Sequence, residues 1–140
     1  MMIFEASTVA EWLEPLKKYQ SSTMAQLIEQ HGPEKAAKLW LSAQGPKATA
    51  SFGGTSNPAP FFERFYAEFK KFVCGDTCYD TIRGQLHTES PIASSIAISV
   101  ISSALGATLG FAAALLAPAV AALLSLVARM GVNAWCSIGE

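Results

Sequence analysis

Cysteine is the residue type in this sequence with the widest chemical reach. Cys74 and Cys78 form a C-x3-C pair, His87 follows closely, and Cys136 and His31 lie far away along the chain. Those residues could supply four zinc ligands on paper. Structural zinc sites draw on two closely spaced pairs, however, and the second pair is missing here. No metal and no cofactor is therefore expected, and the cysteines read as free or buried thiols in a reducing compartment. Asp76 and Asp80 can share a helix face, where a solvated surface explains them better than acid–base work. The chain has no G-x-S-x-G, H-E-x-x-H, phosphate-loop or dinucleotide sequence, and neither histidine has a partner at catalytic spacing. The expectation is a protein that is not an enzyme.

What must position any functional residue is an unusual division of charge. Nineteen of the 21 Asp, Glu, Lys and Arg residues lie in the first 89 positions, and the 39 positions between Glu89 and Arg129 carry none. A bilayer-spanning helix needs about 20 residues. The uncharged run is long enough for two short spans folded as a hairpin, or for the dry centre of a helical bundle.

Within its first half, Ser95, Ser99, Ser102, Gly106 and Gly110 recur at helical spacing and form a stripe of small residues. Such stripes let two helix backbones approach closely, and serine hydroxyls can bond across the contact. The stripe is expected to pack helices together or to line a pore. The second half is rich in Ala and Leu and contains Pro118, which a helix tolerates when the freed carbonyl finds another partner. On the insertion scale each half gains roughly 2 to 5 kcal/mol from its strongly apolar residues, before five serines and a threonine erode the first. Arg129 could snorkel to the membrane interface and Trp135 could sit at head-group depth.

The rest of the chain reads as helices with clear punctuation. Thr8 and Glu11 have capping-box spacing, with Val9, Trp12, Leu13 and Leu16 on one face until Pro15 interrupts. Ser22 or Thr23 is expected to cap the next helix, with Met24, Leu27 and Ile28 inward and Gly32 as its stop. Pro33 suits the first position of a third helix anchored by Trp40. These form a short-helix region over 1–45. Residues 46–60 read as a Gly/Pro/Ser-rich loop, with Phe52, Gly53 and Gly54 in a turn. Residues 61–90 read as an amphipathic helix followed by a short one. Phe61, Phe65, Phe69 and Phe72 give the longer helix an apolar stripe that packs against the core or a partner.

The fold class expected is all-α: a short-helix N-terminal bundle followed by an apolar helical hairpin over 91–136. A net charge of −1 excludes a broad nucleic-acid surface. The start MMIFEASTVAEW lacks the basic residues, apolar run and cleavage site of a secretory leader. The leading functional expectation is a small membrane-inserting homo-oligomer that associates through its Ser/Gly face, with a cytoplasmic N-terminal region. A pore-forming toxin or defence effector is one use of such a protein, and its plan is similar to that of pore-forming bacterial toxins at the level of fold alone. The alternative is a cytoplasmic all-helical interaction or adaptor module that buries the hairpin and binds a protein partner. A third expectation is a switch, in which the Phe61–Val73 helix shelters the hairpin until triggered.

Overall fold

The computed structural model describes residues 4, 6, 8–44, 59–84, 86 and 92–138. Among them are eight α-helices: α1 (Val9–Leu13), α2 (Lys18–His31), α3 (Pro33–Gln44), α4 (Ala59–Cys74), α5 (Asp80–Gly84), α6 (Ser94–Leu109), α7 (Ala113–Met130) and α8 (Val132–Ile138). A 3₁₀ turn, Thr77–Tyr79, precedes α5, and an isolated bridge pairs Phe4 with Ile92. The protein is all-α.

Local chemistry sets most helix ends. The Thr8 hydroxyl accepts the Glu11 amide at 3.2 Å while the Glu11 carboxylate accepts the Thr8 amide at 3.1 Å, which completes the capping box of α1. Pro15 follows the end of α1, as its spacing implied. The start of α2 differs from expectation. It lies at Lys18, and Ser22 and Thr23 fall inside the helix. The chain recovers from Pro15 through one extended residue, Lys17, so it re-enters helix a full turn before either hydroxyl. Gly32 takes a φ of 87° at the end of α2, a conformation that a side chain would disfavour, and Pro33 opens α3 directly.

Helix α4 begins at Ala59, so Pro60 sits in its first turn, where a missing amide costs little. The Gly/Pro/Ser-rich loop is accordingly shorter than 46–60 at this end. Phe52, Gly53 and Gly54 lie outside the described residues. Phe61, Phe65, Phe69 and Phe72 are all buried. They face the core, as the apolar stripe implied.

The centre of the molecule is α7. It packs most extensively on α3 and α6, and also against α1, α2 and α8. Residues 118–125 are buried without a break, which at 3.6 residues per turn means protein on every side of the helix. Trp12, Met24 and Leu41 are fully buried on the helices that surround it. Helix α4 packs on α6, α3 and α8, so the cover of α7 comes mainly from α1–α3 and α6 rather than from the phenylalanine helix.

The expectation of free thiols is overturned for two of the three cysteines. Cys74 and Cys136 form a disulfide, with an S–S distance of 2.02 Å, that ties the end of α4 to α8. Helix α8 returns along α4, where Trp135 meets Phe69 edge-on at 5.5 Å and Tyr66 at 5.9 Å. That packing brings Cys136 to Cys74 across 62 residues, whereas the local C-x3-C pair stays open. The cysteines therefore no longer argue for a reducing compartment.

Candidate functional site

The small-residue stripe divides on folding. Ser95, Ser99 and Gly110 are exposed, whereas Ser102 and Gly106 are buried within the chain. Gly106 is where α6 meets its own continuation. A Cβ there would lie 2.6 Å from the Phe111 carbonyl oxygen and 3.4 Å from the Ala113 nitrogen. The amides of Gly110 and Phe111 both donate to the Gly106 carbonyl, at 2.8 and 3.0 Å, and turn the chain into α7. The close approach at Gly106 thus serves a contact inside one chain.

What α6 leaves outside is a band without charge. Ser95, Ile96, Ser99, Ser103 and Ala107 are exposed along it, and Ile96 keeps 55% of its surface open. Shallow grooves flank the band. One runs toward the α1–α2 link and the start of α7, the other toward the 3₁₀ turn and Tyr79.

Two polar side chains reach α7 from its cover. Pro118 has no amide, so the carbonyl of Ala114 loses its helical donor. Gln20 Nε2 donates to that carbonyl at 3.3 Å, and Trp40 Nε1 donates to the neighbouring Leu115 carbonyl at 2.8 Å. The sequence indicated that Pro118 would need a substitute donor. It did not indicate which residues would supply one, because both come from the first 45 residues.

A second polar cluster stands where α4, the 3₁₀ turn and α6 meet. Tyr79, nearly fully buried, donates its hydroxyl to Glu68 at 2.6 Å and lies 3.1 Å from the Thr108 hydroxyl. Burial first, and then the bond to Glu68, push the Tyr79 hydroxyl up to about 12. Conversely, the Tyr79 bond holds the Glu68 carboxyl below its usual range, helped by an ion pair with Lys71 at 3.0 Å. Asp76 accepts the Cys78 amide at 2.9 Å and caps the turn. Buried Arg83 donates to the Phe72 and Asp76 carbonyls at 3.0 and 3.1 Å and pairs with Asp80. Asp76 and Asp80 are exposed and serve the turn structurally.

Cys78 is the exposed free cysteine of this cluster, and its bond with Asp76 pushes the thiol up. A thiol held protonated in this way is a poor nucleophile and a poor metal ligand. The Cys74 and Cys136 sulfurs are occupied by each other. Among the described residues, no group of three or more His, Cys, Asp or Glu side chains is placed to hold a metal ion.

The two proposed membrane-interface residues separate. Arg129 is exposed near the end of α7, whereas Trp135 is buried between α8 and α4. Helix α7 has 18 residues at a mean hydropathy of 1.9, enough by length and composition to cross a bilayer, and α6 is shorter at 16 residues. Buried helices of soluble proteins meet the same criterion. Comparison with family models, curated proteins and solved structures returns no match.

Proposed function

We propose that this chain works as an all-helical interaction module, with α7 as its core and the outer face of α6 as its association surface. The observation that carries this reading is the unbroken burial of residues 118–125 by the chain's own helices. A helix apolar on all sides needs either lipid or protein around it. Protein already fills that role here, and Gln20 and Trp40 answer the carbonyls beside Pro118.

The band on α6 supports the second half of the proposal. It is uncharged, it holds the exposed Ile96, and its serines and alanines allow a partner backbone to come close. A second copy of the chain is the occupant whose presence is simplest to test. Expression followed by fractionation and a carbonate wash addresses the core. Light scattering on the soluble fraction addresses the association. The expected results are soluble, monodisperse protein and a multiple of the monomer mass that Ile96→Lys reduces. Protein that stays in carbonate-washed membranes would overturn the reading.

One observation favours a second reading, in which α7 enters a membrane. Its 18 residues, uncharged apart from Arg129, match a single span more closely than the pair α6 and α7 matches two. Insertion would require α7 to leave α1–α3 and lose the Gln20 and Trp40 bonds. Leakage of dye from liposomes on adding the purified chain tests it, and intact liposomes would count against it.

A further inference from the structure

All three cysteines gather at the C-terminal end of α4. The disulfide joins Cys74, the last residue of that helix, to Cys136 on α8, and Cys74 is exposed, so the bond is open to attack. Cys78, the free thiol, is exposed four residues farther along.

The chain between Cys74 and Cys78 is folded back on α4. Gly75 takes a φ of 100°, and the Asp76 amide donates to the Lys71 carbonyl at 3.0 Å, a pairing that ends a helix and reverses the chain. Arg83 then donates to the Phe72 and Asp76 carbonyls, so one guanidinium pins the backbone on both sides of Cys74. Cys78 comes to lie beside the last turns of α4, where Glu68 and Lys71 are among the charges that act on it. A bond to Cys74 needs Cα atoms within about 7 Å of each other. A folded four-residue turn allows that approach, and an extended one, about 13 Å long, does not.

Helix α8 depends on its tether. Its seven residues are too few to hold as a helix unaided. Besides the disulfide, Trp135 packs it on α4 against Tyr66 and Phe69.

We infer that this end of α4 is a thiol–disulfide switch that releases α8. The Cys78 thiolate attacks the Cys74 sulfur, and a Cys74–Cys78 bond forms. The Cys74–Cys136 bond breaks, and its electron pair leaves on the Cys136 sulfur, which takes up a proton in place of the one Cys78 gave to solvent. One disulfide and one thiol stand on each side of the step, so no oxidant or reductant enters. What changes is which element is tied. Helix α8 is then held by packing alone, and the aromatic face at Tyr66 and Phe69 is free to open. The step involves α4, its following turn and α8, and is independent of what associates with α6.

The proton on Cys78 is the gate. Asp76, through its hydrogen bond, and Glu68 hold the thiol protonated, and Lys71 opposes them. Tyr79 in the same turn stays neutral well into alkaline pH, and α6 brings no charge to the groove it shares with Cys78. Exchange is therefore slow near neutral pH and speeds up about tenfold per pH unit while the thiol stays mostly protonated.

The test uses the full, unreduced chain at high dilution. After incubation near neutral pH or at about pH 9, thiols are trapped with N-ethylmaleimide in mild acid and located by peptide mapping. Near neutrality the label is expected on Cys78. On the alkaline side it moves in part to Cys136, with one thiol per chain throughout and a Cys74–Cys78 peptide gained. Asp76→Asn keeps a cap for the turn and removes the charge, so it should bring the same shift severalfold faster near neutral pH. Cys78→Ser should leave Cys136 unlabelled at either pH. Label confined to Cys78 at alkaline pH, label on Cys74 instead of Cys136, or Cys136 label in Cys78→Ser would each overturn the inference. Disulfide-linked dimers in place of the internal exchange would overturn it as well. The native and Cys78→Ser chains decide the outcome even where Asp76→Asn does not fold.

Discussion

Gln20 on α2 donates its side-chain amide to the carbonyl of Ala114, the acceptor that Pro118 leaves unserved one turn later in α7. The pair is 94 residues apart in sequence. It explains how a proline in the second turn of the central helix is accommodated. Gln20 is itself 4% exposed, so its polar group is buried for a purpose.

Gln20→Leu is expected to destabilise the fold by about 1 kcal/mol, the usual net worth of a hydrogen bond to a neutral carbonyl. In a Pro118→Ala background α7 regains its own donor, so the same substitution should cost markedly less. A double-mutant cycle in urea measures the difference. Equal costs in both backgrounds would show that Gln20 does not act through the proline.

Gly106→Ala is expected to cost about 1–3 kcal/mol, because the new methyl meets a backbone oxygen that cannot move aside as a side chain would. That oxygen belongs to Phe111, which also donates its amide to Gly106. The loss should appear as a lower urea midpoint with no change in particle mass. A change of mass at constant stability would instead place Gly106 between copies of the chain.

Reduction of the Cys74–Cys136 bond is expected to lower stability by about 4 kcal/mol on the chain-entropy estimate for a loop of this length. The bond spans 62 residues. Trp135 should then shift its fluorescence to the red as α8 loosens from Phe69 and Tyr66. Exhaustive thiol titration of the unreduced chain should count one free thiol, the exposed Cys78, and a count of three would refute the pairing.

The Tyr79–Glu68 bond predicts opposite limits on the pH scale. Tyr79 is raised to about 12, so its contribution is complete below its ordinary value near 10 and is lost as pH climbs toward 12. Glu68 is lowered, so its contribution is present above the ordinary carboxylate range and fades as pH falls through its depressed value. Urea midpoints measured across pH for the native chain and Tyr79→Phe test both. The variant should lose the alkaline decline at this residue and soften the acid one.

Features confined to one turn were legible in the sequence. The Thr8–Glu11 box and the Gly32–Pro33 break each involve neighbours, so spacing alone reveals them. The phenylalanine stripe of α4 was legible for the same reason, since burial repeats with the helical period. The exception at short range is the start of α2, where two hydroxyls at Ser22 and Thr23 looked like caps and a plain extended Lys17 sufficed.

Contacts that depend on how helices meet were not legible. Nothing in a C-x3-C pair announces that Cys74 bonds Cys136 instead of Cys78, because the choice is made by α8 lying along α4. Tyr79, Glu68 and Thr108 come from three elements and share no motif. The apolar run showed where the dry mass lies, but not whether lipid or the first 45 residues would surround it. That depends on the matching shapes of α1–α3, of which Trp40 reaching Leu115 is one instance.

The disulfide also makes the molecule a lariat. Residues 74–136 form a covalent ring that contains α5, α6 and α7, and everything before Cys74 hangs from it as an arm. Helices α1–α3, which wrap α7, all belong to the arm and hold to the ring by non-covalent contact alone. Beyond the passage of the chain through α4, nothing covalent therefore crosses the seam between arm and ring. A protease or a pulling force that removes the arm would uncover α7 while leaving it threaded in a closed loop, anchored at both ends to the tip of α4.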